Sequence, residues 1–488
     1  MKHKTGKLAL RCLAVFTQIM QREPEGWAVL FFRFVMNNHN RRGAEMINRI
    51  LMFFVNLMQK YLPDPFTIVW VITLFVGALA VFVTHKSPME VIDYWGKGFF
   101  DILAFAMQMS LVLITGYALA SAGSVRCLLK RIVLIPRTPK QTILFISAAS
   151  MILYYLNWGL GLIAGGFLAR EAAKQHKDTD FRILVTAAFS GIIITHGGLS
   201  ASVPLVVNTK GHFLESQMGL VPLTQTIFHP QALFITITLA VLIPIICMFM
   251  LPKKEDVVLA DSSLLAEEES VQEKIINVEA TLADRLDNSV ILNYLLGLSG
   301  LAYLIAYFSR NGFNLNVNIL IFMFIVMGIL AHGNLLKFSK AIGKGAATAS
   351  GIILQFPFYA GIMGIMHGSG LVHVISDLLL QMATYETFEL ACYFSSLIIS
   401  IFVPSAGGHW VVQAPFMLPA AAELGVEPWK VAMGVAWGES IWNIVCPFWA
   451  LPLLAIANMN IRDLMGFSVL LFFIGNIVAV AGILLIPH

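Results

Sequence analysis

The amino-acid sequence predicts an all-α polytopic membrane protein of about nine transmembrane helices and two re-entrant hairpins, built as two repeats of opposite orientation. Three observations lead there. Of 488 residues, 58% are hydrophobic and 12% charged, with a mean hydropathy of +0.78, whereas soluble domains carry about 25% charged residues. Apolar runs at 66–84, 231–251, 289–307, 313–331 and 465–487 approach or exceed the roughly 20 residues that cross a bilayer. Finally, the chain repeats itself. Gly96-Lys97-Gly98 recur as Gly343-Lys344-Gly345, a shift of 247, at which Gln108 also meets Gln355 and Gly123 meets Gly370. Gly159 and Phe167 meet Gly408 and Phe416 at 249, while Phe181 meets Trp429 and Pro204 meets Pro452 at 248. A drift of two residues over such a length marks an internal duplication.

In chain order, residues 1–45 read as a basic extension, with eight Lys and Arg scattered among short apolar stretches and no small-residue cleavage site. Met46 is an alternative start, because 46–65 is an amphipathic stretch ended by Pro63 and Pro65, suited to the membrane surface. The first repeat is expected over 66–251, with spans at 66–84, 98–122, 181–206 and 231–251 and a hairpin at 141–172. Residues 252–288 form a polar cytoplasmic linker, in which Lys253 to Asp287 hold ten acids and four bases. A linking helix at 289–312 follows. The second repeat, 313–488, has spans at 314–332, 346–367, 429–457 and 465–487 and a hairpin at 388–425.

Charge sets the orientation, because short cytoplasmic loops collect Lys and Arg. Arg126, Lys130, Arg131, Arg137 and Lys140 with no acid between 124 and 141, then Arg170, Lys174, Lys177 and Arg182, put both ends of the first hairpin inside. Between Gly345 and Trp429 there is no Lys or Arg, so the second hairpin should open outward. The N-terminus is then inside and the C-terminus outside. Two opposed halves, each interrupted by glycines at membrane depth, are the pattern of an inverted-repeat secondary transporter, since irregular backbone persists there only where protein buries it or it lines a cavity.

Four interruptions carry the chemistry. The first hairpin turns at Asn157-Trp158-Gly159 and the second at Ser405-Ala406-Gly407-Gly408-His409. Each following helix is broken, at His196-Gly197-Gly198-Leu199-Ser200 and from Glu439 through Asn443 to Pro447. Freed backbone amides and half-helix N-termini favour an anion, and no Lys or Arg occurs in these segments. The candidate substrate-binding residues are therefore Asn157, Gly159, Gly197, Gly198, Ser200, Ser405, Gly407, Gly408 and His409. Glycine and serine also permit close helix packing, which is the competing reading. Glu439, an acid in an apolar helix whose counterpart in the first half is Gly191, is the candidate ion-coupling residue, together with Asn443 and His196. Trp410, Trp437, Trp442 and Trp449 either shape an apolar pocket or are interface aromatics.

Other classes lack support. The formal charge of +4 and the absence of a basic aromatic face argue against nucleic acid. No zinc-protease, phosphate-loop, nucleophile-elbow or dinucleotide motif occurs, so neither an enzyme nor a bound cofactor is expected. The five cysteines form no CxxC pair, and no disulfide or zinc site is expected. A sensor would need an output domain, for which the 253–287 stretch is too short.

With these residues in hand, the chain resembles the bacterial short-chain fatty acid transporter family. The resemblance covers about 46–485 and rests on Tyr61-Leu62-Pro63-Asp64-Pro65, Leu103 to Met109 (LAFAMQM), Asn157-Trp158-Gly159, Gln355 to Gly361 (QFPFYAG), Gly407 to Gln413 (GGHWVVQ) and Pro447 to Pro452 (PFWALP). It implies uptake of acetoacetate, butyrate and similar monocarboxylates across the bacterial inner membrane, coupled to H+ or Na+. A carrier or exchanger of another small carboxylate, such as a dicarboxylate or an amino acid, is the alternative. Expected partners are the carboxylate, the coupling ion and membrane lipids, with a homodimer left open. Ala406 stands where the family tends to carry a third glycine, and its methyl is expected to narrow the pocket.

Overall fold

A computed structural model describes residues 63–252, 255, 257–261 and 281–486. The extension 1–45, nearly all of the expected surface helix 46–65 and most of the 252–288 linker lie outside the described residues. These described residues form helices and no strand. Many helix starts are written locally: Asp64 caps α1 (Pro65–Val83) by accepting from the Phe66 N–H, and Ser87 and Glu90 form a capping box on α2 (Pro88–Gly98). Proline occupies the first turn of both, where its missing N–H costs nothing.

The first half continues with α3 (Leu103–Ser121), α4 (Gly123–Ile132), α5 (Pro139–Leu156), α6 (Trp158–Gln175) and α7 (Phe181–Phe189). A 3₁₀ segment, Ser190–Gly197, follows, then α8 (Ser202–Val207) and α9 (Pro230–Phe249). After α10 (Val290–Asn311) the second half runs α11 (Val317–His332), α12 (Leu335–Thr348), α13 (Ser350–Ser369), α14 (Leu371–Met382), α15 (Phe388–Ile399), α16 (Ala406–Leu424), α17 (Pro428–Asn443), α18 (Pro447–Ala457) and α19 (Ile461–Leu485). The order from α1 to α8 is thus repeated from α11 to α18, at the offset of the glycine pairs.

Among the described residues seven helical segments, counting 181–207 as one, are long and apolar enough to cross a membrane, or eight if the bent pair α17–α18 is one span. The ninth expected span, 314–332, is α11, whose 16 residues extend about 24 Å, short of a roughly 30 Å hydrocarbon core. The expected span 98–122 also divides. Gly98 ends α2, the chain bends, and α3 starts at Leu103. The amphipathic helices α2, α4, α12 and α14 were absent from the expected spans. Their polar positions break the apolar run, so a span-length search passes over them.

The halves are interleaved rather than side by side. Helices α1 and α2 of the first half pack on α13 of the second, and α11 and α12 of the second pack on α3 of the first. The Gly-Lys-Gly motifs make this approach possible. A Cβ on Gly98 would lie 2.8 Å from Gly364 Cα, and one on Gly345 would lie 3.0 Å from the Ile114 carbonyl oxygen. Each motif thus removes a side chain where an amphipathic helix crosses the other half's long helix. At the centre lies the broken helix 181–207, 94% buried in its most apolar stretch, against 22% for α1 and α10 at the periphery. The 252–288 stretch is not wholly free: the Val258 N–H donates to Asp180 Oδ2 at 2.9 Å, and its carbonyl accepts from the Phe181 N–H at 2.8 Å. This pins the linker's first residues to the start of α7.

Candidate functional site

Each predicted interruption is a helix break. Asn157, between α5 and α6, is extended (φ −159°, ψ 125°), and its Oδ1 accepts from the Leu160 N–H at 2.9 Å. Ser405, 248 residues on, has the same conformation (φ −155°, ψ 115°) and accepts from the Gly408 N–H at 3.5 Å. Both residues satisfy an orphan amide at the start of a helix. The second pair of breaks falls in register too: extended backbone at Gly198 (φ −96°, ψ 174°) and at Cys446 (φ −82°, ψ 117°), the latter with a 42° bend between α17 and α18.

These breaks meet. One cavity of about 40 Å³ is lined by the first tip (Trp158), the second tip (Ser405, Ala406, Gly407), the first broken helix (Ile192, Thr195, His196, Ser200, Ser202) and the second (Asn443, Trp449). Its apolar walls include Met109 of α3 and Phe356 of α13, equivalent residues of the two repeats at an offset of 247. No Lys or Arg lines it among the described residues.

Beside the cavity the halves are joined by buried polar contacts. His196 Nε2 lies 2.6 Å from Glu439 Oε2, with both side chains at most 3% exposed. One residue further on, Ser440 Oγ donates to the Ile193 carbonyl at 3.0 Å and lies 3.2 Å from Thr195 Oγ1; the His196 N–H donates back to it at 3.4 Å. A carboxyl at this depth is tolerable because a base faces it.

Of the twelve predicted residues, His196, Ser200, Ser405, Gly407 and Asn443 line the cavity, with Glu439 directly behind His196. The others do not. Asn157 is a cap that also reaches the Val112 carbonyl at 3.4 Å. Added Cβ atoms on Gly159, Gly197 and Gly198 would meet Leu113, Trp437 and the Tyr155 backbone, and one on Gly408 would strike the Tyr359 ring. These four glycines are closely packed against neighbouring protein. His409, expected at the substrate, is turned into its own hairpin. Its Nδ1 faces Ser400 Oγ at 3.1 Å and its Nε2 faces Gln413 Oε1, while Gln413 Nε2 donates to Ser395 Oγ at 2.8 Å. The ring is fully buried with both nitrogens engaged.

Sequence reasoning missed Met109, Tyr154, Leu162, Ile352 and Phe356 as lining residues, and it treated Trp158 only as part of a turn. The repeat register carried a usable signal for Met109 and Phe356, which directly follow the matched Gln108 and Gln355.

An all-helical membrane fold whose two halves meet through four helix breaks around a buried cavity defines a multi-pass transporter. The family model for short chain fatty acid transporters matches residues 46–486. A protein of Escherichia coli K12, provisionally named a short-chain fatty acid transporter, is 39% identical over 440 residues, covering 90% of this chain and all of that one. A Haemophilus influenzae protein of the same provisional name is 37% identical over 429 residues, 86% of this chain and 96% of that one. Among solved structures, the Alcanivorax borkumensis YdaH transporter shares the fold at a TM-score of 0.57, with 14% identity over 86% of this chain and 98% of its own. This chain belongs to the short-chain fatty acid transporter family.

Proposed function

We propose that the protein is a secondary active carrier in the bacterial inner membrane. It takes up short-chain monocarboxylates such as acetoacetate and butyrate with a coupling ion, H+ or Na+, and the proton is the better supported of the two. The observation that carries this reading is the buried His196–Glu439 pair joining the halves beside a cavity without Lys or Arg.

The cavity suits a small amphipathic acid. Leu162, Ile192, Ile352 and Phe356 offer apolar contact for a short acyl chain, and Ser200, Ser405 and Asn443 offer polar contact. With no cation lining it, one carboxylate is easier to accommodate than two, which disfavours dicarboxylates. The coupling follows from charge. With His196 neutral and Glu439 ionised, an entering carboxylate would add a second buried negative charge, and in a low-dielectric interior that repulsion is strong. A proton taken by the pair removes it, so proton and substrate each favour binding of the other.

Purified protein in proteoliposomes, given labelled butyrate or acetoacetate and an imposed proton or sodium gradient, tests the proposal. The expected result is saturable uptake that accumulates under an inward proton gradient. Accumulation under sodium alone would overturn the proton assignment, and no saturable uptake of either acid would overturn the transport reading.

A further inference from the structure

Several residues that line the cavity carry buried polar side-chain atoms with no protein partner among the described residues, as do some elsewhere such as Trp95, Trp410 and Trp437. Tyr154 Oη, Trp158 Nε1 and Trp449 Nε1 are enclosed and unbonded, as are Asn443 Oδ1 and His196 Nδ1, and all five residues line the cavity. Buried polar groups are nearly always satisfied, so a cluster left open in one place points to a missing bonding partner. An indole N–H can only donate. The two indoles therefore call for an acceptor, and the Tyr154 hydroxyl is free to supply a third donor.

Resting on the carboxylate reading above, we propose that the substrate carboxylate is held by neutral donors, the indole N–H groups of Trp158 and Trp449 and the Tyr154 hydroxyl. Each half contributes. Trp158 stands at the first hairpin tip and Trp449 in the first turn of α18, with ring centroids 5.5 Å apart and planes at 77°. At the offset of 248 Trp158 corresponds to Ala406 and Trp449 to Ala201, so the donors break the internal symmetry. A pocket that must orient one carboxylate and one acyl chain needs such asymmetry.

The donors are also held in place. The Trp158 backbone N–H, not its indole, donates to Ser200 Oγ at 2.9 Å, tying the tip to the broken helix of its own half. The Tyr154 ring is clasped by Gly161 and Gly191, where added Cβ atoms would collide with it. The polar cavity residues Thr195, Ser200 and Ser405 already bond the Ile192 carbonyl, the Trp158 backbone N–H and the Gly408 backbone N–H. Hydrogen bonds from neutral donors to an anion are among the stronger ones, and in a dry site they replace its hydration without a buried counter-charge.

Trp158→Phe and Trp449→Phe each keep an aromatic ring, smaller than the indole, and delete the N–H. In proteoliposomes each is expected to raise the KM for butyrate by about tenfold or more, while inhibition by butyramide, its uncharged analogue, changes less than about twofold. A purely structural defect would shift both alike, and that outcome overturns the assignment. Wild-type protein without saturable butyrate uptake would overturn the transport reading and this proposal with it. Normal wild-type uptake with KM unchanged in both variants would overturn the donor assignment alone. If either tryptophan variant fails to fold, Tyr154→Phe, which removes one oxygen, is judged by the same two constants and the same outcomes.

Discussion

Gly191 and Glu439 occupy the same position of the two repeats and do opposite work. Gly191 must lack a side chain, because a Cβ there would come within 2.6 Å of the Ser150 carbonyl oxygen and of Tyr154 Cδ2. Glu439 uses the equivalent position to reach His196. Gly191→Ala should therefore cost about 1–3 kcal/mol of stability through overpacking, read as a lower unfolding midpoint in detergent. Gly343→Ala, which meets nothing within 4 Å, should leave that midpoint unchanged or raise it slightly. Equal effects would contradict the packing assignment. The glycines were visible in the sequence, but which of them face a neighbour and which face a ligand depends on backbone direction that glycine content does not encode. Gly407 lines the cavity although a Cβ there would also meet Phe105 and Phe356 at 2.8 and 2.9 Å, while Gly408 next to it packs on Tyr359.

Among the elements, the two hairpin tips are the parts most nearly written in the chain. Asn157 and Ser405 are both residue types that cap helices, and both end an apolar run. Replacing Asn157 by Ser copies the second tip and should preserve uptake. Replacing it by Leu removes the cap, at about 0.5–2 kcal/mol, and should largely abolish initial uptake rates per inserted molecule. Similar rates for the two variants would contradict a capping role. Less was legible elsewhere. The exchange of α1 and α2 against α11 and α12 left only the paired Gly-Lys-Gly motifs as a trace, because packing partners more than 200 residues apart share no local pattern. Glu439 and His196, 243 residues apart, are each legible as candidates from their place in a broken apolar helix, but that they pair is not.

Among the described residues the halves are joined at several places, including the reciprocal helix exchange and the contacts of Ser440 and Glu439 with the first broken helix. If the halves also run in opposite directions, as the Lys and Arg distribution implies, single cysteines at positions 131 and 177 should be labelled only from the cytoplasm. Those at 386 and 427 should be labelled only from outside. Cys127, which is exposed, must be replaced first. Labelling of all four from one side would contradict opposed orientation.

The contact between halves is also where transport is expected to be coupled. Glu439→Gln keeps the size of the side chain and a hydrogen bond to His196 but removes the titrating group. The most direct test is to measure, in one proteoliposome preparation, both exchange of butyrate down its own gradient and its accumulation under an inward proton gradient. The account predicts that Glu439→Gln retains exchange and loses accumulation, whereas full concentrative uptake by this variant would contradict it.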